Sequence, residues 1–340
     1  MKRCAVCLVG FALLLKNLLI SASIGLAEEE QWTKKANMPI PRLFFSTSTV
    51  DGLVYTIGGT LAAAVARVDA YNPAVDKWLK KADMPAPRAG VATSVADGEI
   101  YAIGGWNNEE PAVPTVEAYN PVLDKWIPRA NMPTKRVFFS TSVVNGKIYA
   151  IGGIATNMGP VLPAVEEYDP MTNTWARKAD MPNPRSGMST ASVGGKIYVC
   201  GGTPTVQGPV LATVEEYDPQ TDTWTRKADM PTERTALATA VANDKIYAIG
   251  GARVVQGPGL VTVEVYDPET NTWTQGTHMP TARVFLGAGV VDRKIYVVGG
   301  VAEGLGPAIL PTVEEHDVGG LRVEAAGKLP LLWGKIRAGD

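Results

Sequence analysis

Apolar and polar residues alternate along this chain in short runs, the period of half-buried β-strands. Between about residues 30 and 317 the runs come in groups of four. In the third group they are Phe138 to Val144, Lys147 to Ile151, Ala164 to Tyr168 and Thr174 to Arg177. Asn145-Gly146 separates the first two, a pair suited to the two left-handed positions of a type I′ hairpin. Asp51-Gly52, Asp97-Gly98 and Gly194-Gly195 hold the same place in other groups. Asp169-Pro170-Met171-Thr172-Asn173 predicts a turn between the last two runs. Each group therefore predicts a four-stranded antiparallel meander.

The groups repeat. Double glycines fall at Gly58-Gly59, Gly104-Gly105, Gly152-Gly153, Gly201-Gly202, Gly250-Gly251 and Gly299-Gly300, spaced 46 to 49 residues apart. Trp32, Trp78, Trp126, Trp175, Trp224 and Trp273 keep the same beat. One meander cannot bury both of its faces, so like units must pack on one another. The small residues of the first runs, such as Ser140-Thr141-Ser142 and Gly287-Ala288-Gly289, suit strands that converge on an axis. Tryptophan and tyrosine in the outer half fill a widening wedge.

These motifs resemble the kelch repeat. The matching runs are Ile148-Tyr149-Ala150-Ile151-Gly152-Gly153, Val165 to Pro170, the following Trp175, and Met181-Pro182-Asn183-Pro184-Arg185. Six copies imply an all-β fold, a six-bladed β-propeller of four-stranded antiparallel blades over residues 28–317. Closure of the ring has two candidates. Gln31 to Pro39 reads as a fourth strand with none before it, so residues 30–36 would complete the last blade. Leu321 to Pro330 is in register with a degenerate fourth strand but lacks the tryptophan. The N-terminal strand is the expectation, and 318–340 is then an extension.

Composition narrows the class. The chain has 340 residues, 46% of them hydrophobic and 19% charged, which excludes a disordered chain. A net charge of −2 leaves no basic excess for nucleic acid. Met1-Lys2-Arg3, an apolar stretch and Gly25-Leu26-Ala27 read as a signal peptide over 1–27. Lys16 makes an uncleaved span costly. The mature protein is then expected to be exported (periplasmic, extracellular or at the cell surface), with no membrane span, and monomeric. Cys200, alone after that cleavage, stands where other repeats carry Ile or Val and reads as a core residue.

Candidate chemistry gathers on one face. The connection into each first strand and the loop after each Gly-Gly share an end of the meander, and the longer, variable loops lie there. Arg42, Arg88, Arg136, Arg185, Arg234 and Arg283 begin the inner strands and are candidate ligand-binding residues at a channel mouth. The kelch resemblance allows arginines at this position to contact acidic ligands. Asp69, Glu117, Glu166, Glu215, Glu264 and Glu314 keep the same rhythm, so internal ion pairs are the competing role. Phe44, Phe138 and Phe285 follow an arginine by two residues and either line the mouth or face inward. Trp106, beside Asn107-Asn108-Glu109-Glu110, is a candidate to stack a sugar or anchor a peptide. The loops with Gly159-Pro160, Gly208-Pro209, Gly257-Pro258 and Gly306-Pro307 carry aliphatics, as rigid inter-blade turns or as an apolar docking surface.

Enzyme signals are sparse. His278 and His316 are too few for an imidazole-rich metal site, and no metal or cofactor is expected. His316 replaces a repeated tyrosine and reads as core. The expected function is an exported binding module for a protein or glycan, an acidic one if the arginines are free. One alternative is a sugar mutarotase similar to the bacterial N-acetylneuraminate epimerases, for which Glu233 and Arg234 are the candidate acid–base pair. A structural or adhesion role is another.

Overall fold

Each group of alternating runs becomes one sheet. The computed structural model describes residues 31–156, 159–304 and 308–319. The expected leader at 1–27, the stretch 321–330 and the rest of the extension past 319 lie outside the described residues. After β1 (Trp32–Lys35) the strands fall into five complete sets. Blade one is β2 (Ser46–Val50), β3 (Leu53–Ile57), β4 (Val68–Asn72) and β5 (Lys77–Lys81). Blade two is β6 (Ala92–Ala96), β7 (Glu99–Ile103), β8 (Val116–Asn120) and β9 (Lys125–Pro128). Blade three is β10 (Ser140–Val144), β11 (Lys147–Ile151), β12 (Val165–Asp169) and β13 (Thr174–Lys178). Blade four is β14 (Ser189–Val193), β15 (Lys196–Cys200), β16 (Val214–Asp218) and β17 (Thr223–Arg226). Blade five is β18 (Ala238–Ala242), β19 (Lys245–Ile249), β20 (Val263–Asp267) and β21 (Thr272–Gln275). Blade six holds β22 (Gly287–Val291), β23 (Lys294–Val298) and β24 (Val313–Asp317).

The outer strand of blade six is β1, paired antiparallel with β24 in the register Trp32↔His316 to Lys35↔Val313. The six sheets form a ring, a six-bladed β-propeller. Trp32 therefore meets His316 as Trp78 meets Tyr71 and Trp126 meets Tyr119 in their blades. The Trp32 and His316 rings stack at 4.9 Å, which accounts for an imidazole in a tyrosine's place.

The core is divided among the seams. Val50, Ile57, Val68 and Met84 of blade one pack against Val91, Ile100, Ala102 and Tyr119 of blade two, and similar clusters fill the other seams. Cys200 lies in one of them, fully buried, with its thiol pushed up to about 12 by burial. It is a packing residue.

Outside the apolar layer, polar clamps join neighbours. The Tyr119 hydroxyl donates to Asp124 Oδ1 at 2.6 Å, and the same oxygen accepts the Ala82 N–H of blade one at 2.8 Å. Trp126 Nε1 donates to Ala82 O at 2.9 Å. Blade three repeats this with Tyr168, Asn173, Trp175 and Ala130. An Asp or Asn held in a left-handed turn thus ties its own blade to the previous one.

The hairpins between first and second strands use left-handed pairs, as at Asn145 (φ 50) and Gly146 (φ 76). Blades five and six place Asn243-Asp244 and Asp292-Arg293 there, all with positive φ. Those blades carry backbone strain that glycine would relieve.

Candidate functional site

The residue after each motif arginine forms a bridge to the residue after the double glycine. The pairs are Leu43↔Thr60, Ala89↔Trp106, Val137↔Ile154, Ser186↔Thr203, Thr235↔Ala252 and Val284↔Val301. Both connections therefore lie on one face, around the mouth of the central channel.

The six arginines do not line that mouth. Arg42, Arg88, Arg136, Arg185, Arg234 and Arg283 are 0–1% exposed. Each turns back into its own blade and meets a carboxylate of the third strand. Arg42 reaches Asp69 at 2.8 Å, Arg88 reaches Glu117 at 2.7 Å, and Arg136 reaches Glu166 at 2.5 Å. Arg185 pairs with Glu215, Arg234 with Glu264 at 2.7 Å, and Arg283 with Glu314 at 3.1 Å. A guanidinium also donates to the carbonyl of the first glycine, at 3.0 Å from Arg136 to Gly152 and 2.7 Å from Arg283 to Gly299. The second glycine's N–H donates to the next blade's arginine carbonyl, as from Gly153 to Arg185 at 3.0 Å. Both glycines are left-handed, and a Cβ on Gly58 would sit 2.3 Å from the Arg88 carbonyl oxygen. The double glycine is the shape that lets arginine staple strand two to strand three and one blade to the next.

Burial pulls the guanidinium pKa values down, and the carboxylate partner opposes that shift. Thr134 and Thr232, two residues before an arginine, donate to the second carboxylate oxygen of Glu166 and Glu264 at 2.7 and 2.6 Å, while Thr281 donates at 2.6 Å to the Glu314 oxygen that Arg283 also meets. In blade three both Glu166 oxygens thus have a partner, and that ion pair is a closed internal unit. All six arginines expected at the mouth thus lie inside the blades, each on a third-strand carboxylate. The structure does not bring the candidate acid–base pair together: Glu233 is half-buried and 3.6 Å from Arg253, whereas the Arg234 guanidinium is buried on Glu264.

What lines the mouth is the residue two places after each arginine. Phe44, Gly90, Phe138, Gly187, Ala236 and Phe285 all have positive φ, between 52° and 64°. Backbone bonds run from blade to blade through them: Gly90 N to Phe44 O at 2.8 Å, Gly187 N to Phe138 O at 3.0 Å, Ala236 N to Gly187 O at 2.7 Å and Phe285 N to Ala236 O at 3.0 Å. The left-handed turn aims each side chain at the channel opening. Phe44 meets Phe285 at 4.8 Å and Phe138 at 5.7 Å between ring centroids. Blade two has glycine at this position, and Trp106 fills the space: a Cβ on Gly90 would lie 2.1 Å from the indole. Trp106 stands 5.3 Å from Phe44 and 5.4 Å from Phe138. Four half-buried aromatic rings from blades six, one, two and three thus form one cluster, while blades four and five contribute only Gly187 and Ala236.

Below the rings is a channel cavity of about 250 Å³. Its wall is a ladder of hydroxyls, in which Thr93, Thr141, Thr190 and Thr239 each donate to the carbonyl of the preceding blade's threonine at 2.9 to 3.4 Å. Beside the small-residue half of the mouth, the loops of blades four and five enclose a cleft of about 660 Å³. It is lined by Gln207, Pro209, Glu233, Arg253, Val254 and Gln256 among others. The loop face thus has an aromatic half and a polar half.

Phe44, Phe138, Phe285 and Trp106 were legible as candidates, but the direction of the phenylalanines was not, because no propensity marks phenylalanine for positive φ. In blade two the glycine at this position goes with a tryptophan after its Gly-Gly, whereas in blade four Gly187 goes with Thr203.

Six closed sheets, the arginine–carboxylate staple and the double glycine together define a kelch-type six-bladed β-propeller. The chain belongs to the kelch-repeat family: the model described as the KLHDC2/KLHL20/DRC7 Kelch-repeats domain matches residues 81–251 and 129–300, and the Kelch motif matches 41–85. Among solved structures the chain is similar to YjhT, with 19% identity and a TM-score of 0.70 over 81% of this chain and 94% of that one. That likeness is one of fold. No curated protein matches.

Proposed function

We propose that this protein is an exported binding module that recognises a protein ligand by taking an apolar side chain of the ligand into the aromatic mouth. A kelch propeller is in general a binding or interaction module. The observation that carries the finer reading is the cluster of Phe44, Trp106, Phe138 and Phe285, held half-exposed on a strained, inter-bonded backbone ring. Rings that serve only to fill a core are buried, as Tyr55 and Tyr168 are here. Preorganised aromatics around a partly open pocket are the usual energetic centre of an interface. With the arginines neutralised inside the blades, an acidic ligand has no special claim on the mouth.

A second reading rests on the cleft between blades four and five. Glu233 and Arg253 are only loosely paired there and flanked by Gln207 and Gln256, a set of donors and acceptors suited to a glycan.

The two are separated by screening the protein against a displayed library of random peptides and a glycan array. The expected result is a set of bound peptides sharing one aromatic or aliphatic position. The double variant Phe44→Ala, Phe138→Ala should bind them at least about thirtyfold more weakly, a loss of about 2 kcal/mol. Glycan binding that is lost with Glu233→Ala and kept by the double variant would replace the mouth by the cleft.

A further inference from the structure

The outer rim of the propeller is not symmetric. Among the described residues nine large apolar side chains are exposed, and six of them, Val75, Leu79, Val122, Leu123, Ile127 and Met171, belong to the outer edges of blades one to three. Val122 is 85% exposed and Met171 is 89% exposed. Val75, Val122, Leu123 and Met171 sit in the turns between third and fourth strands. Gln220-Thr221 and Glu269-Thr270 occupy these turns in blades four and five. Leu79 and Ile127 follow the repeated tryptophan on β5 and β9, where blades four, five and six carry Thr225, Thr274 and Thr33.

The six form one arc. Ala82, at the end of β5, is bonded to Asp124 and Trp126 of the next blade. That brings the end of β5, the strand that carries Leu79, to the turn that carries Val122 and Leu123. Ala130, at the end of β9, is bonded to Asn173 and Trp175, which brings Ile127 to the Met171 turn. The arc is a row of convex turn tips and edge strands rather than a groove.

Charge completes the pattern. Alternation along β5 places Lys77, Leu79 and Lys81 on one side of the strand, opposite Trp78, and β9 places Lys125 with Ile127. Lys80 pairs with Asp83. Lys77 and Lys125 make no salt bridge among the described residues, and Lys81 makes none but lies within electrostatic reach of Asp124. The carboxylates of Asp76 and Asp124 face the seam, each accepting a tyrosine hydroxyl and a backbone N–H of the preceding blade. Blades four and five have Thr223 and Thr272 where blades one and two have Lys77 and Lys125.

From this we infer that the rim of blades one to three is a membrane-surface contact, with the apolar turn tips entering the headgroup layer of an anionic bilayer and the lysines lying along it. A convex apolar row between unpaired lysines matches a flat anionic surface. A second copy of this chain fits worse. Edge-to-edge pairing of β5 or β9 would set lysine against lysine, and Pro128 removes a donor from β9. The rim leaves the loop face free, so contact there and ligand binding at the mouth are compatible.

The test is flotation of the full chain with phosphatidylcholine vesicles, with and without phosphatidylglycerol, alongside the triple variant Leu79→Ser, Val122→Ser, Leu123→Ser. These positions are exposed, so the variant's thermal unfolding should match the parent's. The parent should float with the anionic vesicles, and the triple variant should lose about tenfold or more of that partition. Lys77→Glu with Lys125→Glu should lose the salt-sensitive part while keeping the fold. Failure of the parent to float overturns the inference, as does equal flotation of parent and triple variant, which would assign any binding to another segment. A parent that does not float but sediments as a dimer, with a monomeric triple variant, would give the rim to a second copy instead.

Discussion

Two positions only two residues apart in the repeat behave in opposite ways. The motif arginine is the same in all six blades, buried, and closed on a carboxylate and a glycine carbonyl. The residue two places on is phenylalanine three times, glycine twice and alanine once, and it faces the channel mouth. Identity in every blade marks what every blade needs to be built. Departure from the repeat marks where the ring stops being symmetric, and a ligand that is not sixfold needs such a place.

Breaking the arginine should therefore damage the fold, and breaking the mouth should not. Arg136→Ala leaves the Glu166 carboxylate buried without its cation, which costs about 3–5 kcal/mol. Denaturant unfolding should show a midpoint shift of that size. Phe138→Gly removes left-handed strain of about 1–2 kcal/mol and loses ring contacts to Phe44 and Trp106 of about 0.5–1.5 kcal/mol each. The net change in the same unfolding experiment should stay within about 2 kcal/mol. A loss from Phe138→Gly as large as that from Arg136→Ala would make the mouth ring scaffold as well.

The blades were legible because their signals are local and repeated: left-handed dipeptides at hairpins, double glycines and an outer tryptophan. The arginines were visible and their surroundings were not. Six cations and six acids in one rhythm suit either a charged mouth or six internal pairs. The choice is made by a side chain folding back along its own blade, a three-dimensional fact. Thr134 and Thr232 carried a usable hint, since a hydroxyl two residues before the arginine is positioned to bind the carboxylate oxygen that the arginine leaves. Phe44, Phe138 and Phe285 were found as candidates, but their direction depends on a backbone conformation that phenylalanine rarely adopts.

A smaller effect sharpens the same contrast from the side of strain. Arg293 sits at φ 62 in the blade-six hairpin, where blades one to four have glycine. Arg293→Gly should raise stability by about 1 kcal/mol, read as a higher unfolding midpoint. No ligand affinity should change, because this turn is at the opposite end of the strands from the mouth.

The smallest expected effect lies in the outer clamps, where blades one and two use Asp76 and Asp124 and blades three and five use Asn173 and Asn271. The hydroxyl of Tyr119 and the N–H of Ala82 hold the Asp124 carboxyl below its ordinary value, and the hydroxyl of Tyr71 and the N–H of Ala36 do the same for Asp76. A carboxyl depressed on folding contributes stability that is fully present above its unfolded pKa, around 4. That contribution is lost as the pH falls through the lower folded value. Asn173 and Asn271 show that an amide oxygen can accept the same two hydrogen bonds without titrating. The double variant Asp76→Asn, Asp124→Asn should therefore be less stable than the parent near neutrality, and that difference should close on acidification below about pH 4, because the variant loses less. Parallel acid-unfolding curves for the two proteins would show that these clamps hold the seams by geometry alone, as in the asparagine blades, with no contribution from the charge.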